Sequence, residues 1–319
     1  MCFSITRSII PGSGNNSDDA VKMKTIPIRH IRSDHEEQAS SERFSIRKVQ
    51  DLLGGQDLFQ ALHRHNFFFI LALQNGKGTH EIDFTTYPVS DNSVFFIRPG
   101  QVHQLQLNAG STGHLLEFNT GFYHPKDGPS TQRFRKAANK NFCLPDVDRV
   151  EKLHAILGYI FQEYTDKQAD FQDIIKASLE IFFIEFVRQS PNPKGPSTNT
   201  NPYTQERFEE FSELLEMHLK NHRQVSHYTD LMNLSPYQLS EITRATIGKT
   251  PSAFINESII LEAKRYLLAT PQQIQAIADH LGYADVSYFI RIFRKPPGYS
   301  PAVLRQHSSS ILPTCLQVL

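Results

Sequence analysis

The stretch that decides the fold begins Ile274-Gln275-Ala276-Ile277-Ala278-Asp279-His280-Leu281-Gly282-Tyr283 and continues Ala284-Asp285-Val286-Ser287-Tyr288-Phe289-Ile290-Arg291-Ile292-Phe293-Arg294-Lys295. It closes on Pro296-Pro297-Gly298-Tyr299-Ser300-Pro301. Shifted back by 50 residues, it overlays on the segment before it. Leu231 falls on Leu281, Leu239 on Phe289, Ile242 on Ile292 and Arg244 on Arg294, while Gly248-Lys249-Thr250-Pro251 falls on Gly298-Tyr299-Ser300-Pro301. Each copy reads as a helix, a tight turn, a second helix, then a glycine and a hydroxyl–proline pair. Glycine suits a left-handed helix end, and Thr or Ser before Pro suits an N-cap and first helical position. Two helices joined by a short turn form a helix-turn-helix unit.

The second helix of each copy has two faces. Leu239, Ile242 and Ile247 point inward in the first, and Tyr237, Ser240, Glu241 and Arg244 point outward. In the second copy Phe289, Ile292 and Phe293 form the apolar face, with Val286, Ser287, Arg291, Arg294 and Lys295 outward or at its rim. Between the copies, Pro251–Leu268 reads as one helix of 18 residues, about 27 Å long. That length suits two recognition helices about one turn of DNA apart, near 34 Å.

Residues 205–306 resemble the DNA-binding domain of AraC/XylS-type transcriptional regulators. The resemblance is carried by Ile274–Tyr283, Ser287-Tyr288-Phe289, Arg291, Phe293-Arg294-Lys295, Gly298 and Ser300-Pro301, together with Leu261-Glu262-Ala263-Lys264-Arg265-Tyr266-Leu267-Leu268. It implies groove-facing positions at Tyr237, Ser240 and Glu241 in one helix and Val286, Ser287 and Arg291 in the other. Arg291 is the foremost base-contact candidate, because Arg pairs bidentately with guanine O6 and N7; a phosphate contact or a solvated charge is the alternative. Three positions depart from the family pattern. Glu241 replaces a basic residue, Thr243 replaces Phe, and Pro296-Pro297 should stop the second recognition helix near Lys295.

Upstream, Ser190–Thr204 carries four prolines among small polar residues and reads as an interdomain linker. Before it, Val150, Leu153, Ile156, Leu157 and Ile160 recur at helical spacing, followed by a second, more apolar helix over Ile174–Arg188. The two should pack antiparallel. The family resemblance places dimerisation here, and Ile174, Leu179, Phe182 and Phe186 are the candidates for interface or barrel contact. From Phe44 to Tyr123 short runs rich in Phe, Val, Ile and Thr alternate with turn signals such as Asn75-Gly76-Lys77-Gly78 and Pro99-Gly100. This pattern predicts a small β-barrel or sandwich.

Residues 59–123 resemble the cupin-type barrel that precedes this DNA-binding domain in many family members. The carriers are His63-Arg64-His65, Gly76-Lys77-Gly78-Thr79-His80 and Ile97-Arg98-Pro99-Gly100-Gln101-Val102-His103. His63 and His65 share a strand face. Three converging imidazoles suit a transition metal, but the acid that follows such a pair in metal-binding cupins is absent, with Phe69 and Ile70 at those positions. The reading is therefore a small-molecule pocket at His63, His65, Arg98 and His103, with no metal and no cofactor. Internal hydrogen bonding is the alternative for the histidines, and a rim ion pair for Arg98.

The chain has 319 residues, with 33 Lys+Arg against 33 Asp+Glu. Charge balance excludes a polyelectrolyte tail protein. From 224 to 306 eight basic and six acidic residues leave only +2, so DNA binding should depend on base contacts, dimerisation and helix N-termini more than on bulk charge. Three scattered cysteines, Cys2, Cys143 and Cys315, make no disulfide framework and point to a reducing cytoplasm. No apolar run approaches the roughly 20 residues that span a bilayer, and Met1–Gly14 is a poor signal peptide.

The expected fold is α+β and multidomain. It comprises a disordered extension over 1–22 with a possible second start at Met23, a cupin-like sensor barrel over 23–145 and a helical dimerisation segment over 146–189. The linker follows at 190–204, then an all-α bipartite helix-turn-helix domain at 205–306 and a tail at 307–319. The expected function is a sequence-specific transcriptional regulator, not an enzyme, whose partners are promoter DNA, a small-molecule effector, a second copy of itself and RNA polymerase. Two rivals remain at this point: a cupin metalloenzyme of dioxygenase or isomerase type, and a DNA-binding protein whose barrel only dimerises.

Overall fold

The computed structural model describes residues 28–29, 43–188, 202–270, 272–295 and 298–310. The expected extension over 1–22, the linker through residue 201 and the tail beyond 310 lie outside them, as do Pro296 and Pro297.

Among the described residues the first half holds ten strands and four helices. In chain order these are β1 (Ile28–Arg29), β2 (Phe44–Lys48), α1 (Val49–Leu53), β3 (Leu58–His65), β4 (Phe68–Asn75), β5 (Gly78–Ile82), β6 (Thr85–Val89), β7 (Val94–Ile97), β8 (Val102–Leu107), β9 (Thr112–Phe118), α2 (Gly128–Ala138), β10 (Phe142–Cys143), α3 (Val147–Asp166) and α4 (Phe171–Arg188). The strands make two five-stranded sheets, ordered β1-β3-β8-β5-β6 and β10-β7-β4-β9-β2. The expected β-barrel or sandwich takes the form of two facing sheets that do not close on each other. Closure needs a hydrogen-bonded ladder between sheet edges, and among the described residues none joins the two.

Strand β4 explains the layering. Its alternate side chains face opposite ways, and Phe68, Ile70 and Ala72 pack into a core with Leu153, Leu157, Leu179, Phe182 and Phe186 of α3 and α4. Phe69, Leu71 and Leu73 enter a second core with Ile82, Leu105 and Leu107 of the opposite sheet. A strand buried on both faces reads as a continuous apolar run, as Phe67–Leu73 does.

The second half is all helical: α5 (Pro202–His218), α6 (Val225–Met232), α7 (Pro236–Ile247), α8 (Pro251–Ala269), α9 (Ile274–His280), α10 (Val286–Arg294) and α11 (Pro301–Ser310). Phe211, Tyr228, Leu239, Ile259, Ile277, Phe289 and Phe293 share its core. The internal repeat is visible as repeated capping. Ser235 and Gln238 close a capping box at the start of α7. The Thr250 hydroxyl accepts from Ala253 N at 3.3 Å, and the Ser300 hydroxyl from Val303 N at 3.3 Å. Gly248 and Gly298 have φ of 69° and 76°, the left-handed conformation that glycine adopts without a Cβ clash.

The two halves touch through charged pairs. Glu216 and Glu213 of α5 accept from Arg98 and Arg135, and Lys136 Nζ lies 3.8 Å from a Glu209 oxygen. Arg265 of α8 pairs with Asp83 of the β5–β6 turn.

Candidate nucleic-acid interface and effector cavity

The repeat sets the geometry of the helical half. In α7, Leu239, Ile242 and Thr243 are buried, so the helix must turn Tyr237, Glu241 and Arg244 outward, and all three are exposed. Tyr237 is 73% exposed, which is unusual for so large a ring in a folded helix. Ser240 is half-buried. In α10, Phe289 and Phe293 are buried, while Ser287, Arg291, Arg294 and Lys295 are exposed. Val286 stands at the rim of the apolar face, half-buried and packed against the core. Asp285 caps α10 by accepting from Ser287 N at 2.8 Å. Helix α10 ends at Arg294, with Lys295 as its C-cap, as the diproline requires. The Arg291 guanidinium lies over the Tyr288 ring, 5.0 Å from its centroid.

The structure sorts the basic residues of this half. Arg265 is tied to Asp83 and Glu262, Lys249 to Glu257, and Arg305 to the carbonyls of Leu267 and Gln272. The Lys264 ammonium sits over the Phe84 ring at 5.5 Å. Arg244, Arg291, Arg294 and Lys295 are the exposed basic side chains on the second helix of each copy.

The strand half holds a cavity of about 550 Å³, lined by Leu53, Leu58, Phe67, Leu71, Leu105 and Leu107 among others. Its polar groups are Gln60, His65, Arg47 and Glu117, the last two an ion pair at 3.0 Å. Apolar walls with a few polar groups define an ordinary small-molecule site. Of the four residues expected here, His65 lines the cavity. His63 and His103 are fully buried next to it, cross-strand partners on β3 and β8. Arg98 is not among the lining residues; it donates to Asn139 Oδ1 at 2.9 Å and to Glu216.

The histidines form a connected group. His80 Nε2 and His103 Nδ1 share a hydrogen bond of 2.9 Å, His103 Nε2 and His65 Nε2 one of 3.2 Å, and His63 Nδ1 donates to the Ala61 carbonyl at 2.7 Å. One nitrogen each from His63, His65 and His103 falls within 4.8 Å of the other two. At the position of the missing acid the Phe69 ring meets His65 and His103, with centroids 5.3 and 5.2 Å apart. Desolvation first, and the His63 charge second, push His80 down to about 3, so His80 is neutral at physiological pH. Sequence reasoning missed Arg47 and Glu117. They belong to separate strands, β2 and β9, and only the pairing of those strands brings them together.

The expected dimerisation residues divide by burial. Leu179, Phe182 and Phe186 are 0% exposed and belong to the core between α4 and the second sheet. Of the two expected placements, interface or barrel contact, these three make the second, and a side chain already enclosed has no surface to offer a partner. Ile174 is half-buried and lies on the same helical face as Ala177 and the 53% exposed Ile181. No helix among the described residues is long and apolar enough to cross a membrane.

Comparison with known proteins matches both halves. Residues 54–177 match the AraC-like ligand binding domain, and residues 228–307 match a helix-turn-helix domain. The HTH-type transcriptional regulator YfiF of Bacillus subtilis is 23% identical over 269 residues, covering 81% of this chain and 82% of that one. The HTH-type transcriptional activator RhaS of Escherichia coli O157:H7 is 24% identical over 264 residues, covering 78% and 89%. Among solved structures, ToxT from Vibrio cholerae O395 aligns with a TM-score of 0.40 and 12% identity, over 85% of this chain and 99% of that one. With a ligand-binding domain and a helix-turn-helix DNA-binding domain in one chain, the protein belongs to the AraC family of transcriptional regulators.

Proposed function

We propose that the protein is a cytoplasmic, effector-responsive regulator that reads promoter DNA with α7 and α10. The observation that carries this is the repeated, capped helix pair whose exposed faces present Arg244 in one copy and Arg291, Arg294 and Lys295 in the other. Helix α8 between them has 19 residues, about 28 Å, which suits insertion of both recognition helices along one face of the duplex. Tyr237, Ser240 and Glu241 join the first contact surface, and Ser287 the second. Glu241 accepts from cytosine N4 in this reading. Val286 sits at the edge of the second surface.

The effector enters the cavity between the sheets. Its chemistry follows the walls: an apolar body against Leu71, Leu105 and Phe67, and an anionic or hydrogen-bonding end for Arg47 and His65. Two copies associate through the α4 stripe of Ile174, Ala177 and Ile181, and RNA polymerase is the further partner at the promoter. The units are the sensor sheets over 23–145, the helices over 146–189, a linker ahead of Pro202, where α5 begins rather than at 205 as the sequence suggested, and the DNA-binding domain from there to 306. The enzyme alternative has little support, because Phe69 stands where a metal-binding acid is needed.

A gel shift of the full chain against fragments of its own genome tests this. Selective retention of a few fragments is the expected result. Uniform weak binding to all of them would overturn the reading. Native mass spectrometry of the same preparation checks for a small molecule carried by the first domain.

A further inference from the structure

Three histidines outside both surfaces meet where α5 leads into the first helix-turn-helix. His218 is the last residue of α5, His222 stands in the connecting turn and His227 lies in the first turn of α6. One ring nitrogen from each lies within 4.8 Å of the other two. The rings of His222 and His227 stack with centroids 3.7 Å apart, 8° from parallel, and His218 stands 5.2 Å from His227 at 70°.

The surroundings point to a ligand. His227 Nε2 is buried and has no hydrogen-bond partner, an arrangement that costs desolvation without return. The backbone beneath the rings is held independently of them. The Tyr228 hydroxyl donates to the His222 carbonyl at 2.6 Å, and His222 N donates to the His218 carbonyl at 2.8 Å. Next to them Arg223 donates to the Gly282 carbonyl at 2.6 Å and lies over the Tyr283 ring.

We propose that His218, His222 and His227 bind one divalent late transition-metal ion, of the Zn2+ class, with a fourth position open to water. A set of three imidazole donors suits such ions rather than Mg2+ or Ca2+. Tetrahedral coordination at 2.0–2.1 Å places ligand nitrogens about 3.3 Å apart. From nitrogens within 4.8 Å of one another, binding draws all three rings together to that value, with His222 the exposed member of the three. Metal then satisfies the orphaned His227 nitrogen.

The position gives the ion a consequence. Helix α5 carries Glu209, Glu213 and Glu216, which pair with Lys136, Arg135 and Arg98 of the sheet half. A metal between His218 and His227 fastens that docked helix to the first helix of the DNA-reading repeat. Only this consequence depends on the regulator reading; binding itself is measured without DNA, so the two fail separately.

The test is titration of metal-stripped full-length protein with Zn2+ in competition with a chromophoric chelator, and with Co2+ as a spectroscopic probe. The buried His63, His65 and His103 group is a second cluster of imidazoles, so each variant is read as a difference from wild type. His222→Asn and His227→Asn should each lose one equivalent of metal per chain or weaken it by at least about tenfold. They should also lose the tetrahedral Co2+ bands and the rise in Tm with metal. His280→Asn, on α9, should leave all of these unchanged. Should His227→Asn fail to fold, the exposed His222→Asn decides. A His222→Asn protein that titrates like wild type overturns the proposal.

Discussion

Arg265 of α8 and Asp83 of the β5–β6 turn, 182 residues apart, form a two-pronged ion pair with Nε–Oδ1 at 2.9 Å and Nη2–Oδ2 at 2.6 Å. The side chains are only 17% and 9% exposed. Gln101 Nε2 donates to the same carboxylate at 2.6 Å, and Glu262 accepts from the same guanidinium at 3.1 Å. Each nitrogen of the guanidinium thus donates to a carboxylate, and Arg265 belongs to the sensor–reader junction rather than to the DNA face.

Removing one partner leaves the other charge buried, which costs on the order of 3 kcal/mol. Asp83→Ala and Arg265→Ala should each loosen the two halves and speed protease cleavage within 190–204 by at least about tenfold. The double variant should be no worse than the worse single one, because the shared contact is lost only once. Additive effects would show that the pair does not clamp the halves together.

Arg291→Ala should lose discrimination at one base pair of the operator, by about 1–3 kcal/mol, with other positions unaffected. Lys295→Ala, at the helix end, should weaken all sequences alike. Binding measured against a library of operator substitutions separates the two. A uniform loss for Arg291→Ala would place it on phosphate.

Salt dependence follows from the sorted charges. With Arg244, Arg291, Arg294 and Lys295 as the exposed basic side chains on the recognition helices, the slope of log K against log salt should not exceed about 4 per chain in magnitude. Filter binding across salt concentrations measures it. A much steeper slope would mean phosphate contacts from elsewhere in the chain.

Acid should destabilise the sensor half. His80 is held near 3 when folded against 6.5 ordinarily, so below 6.5 the unfolded chain takes up a proton that the folded chain refuses. Stability from this group is complete above that value and is lost as pH falls toward 3. At pH 5 the loss is about 2 kcal/mol. His114, lowered to about 4 chiefly by burial, then by His154 and Lys48, acts in the same direction, discounted for its greater exposure. Urea unfolding at pH 7 and pH 5 should show a loss that shrinks by about 2 kcal/mol in His80→Gln; an unchanged loss would remove His80 as its source.

Features governed by local rules are legible in the residues alone. The repeat named its own caps, and the diproline ended α10 where amide donors run out. Helical spacing separated Arg291 from Phe289 because 3.6 residues per turn fix which side chains share a face. The strand half was legible as strands, and Phe69 was already conspicuous as an apolar residue in place of an acid. Which surface each apolar face meets is settled by docking. Leu179, Phe182 and Phe186 read equally well as interface or core, and the second sheet took them. Arg98 turned from the cavity to Glu216, Arg47 met Glu117 across β2 and β9, and Asp83 met Arg265 across the two halves. Periodicity encodes a direction from the backbone, whereas a partner distant in sequence is fixed only when sheets and helices dock, so no local pattern carries it.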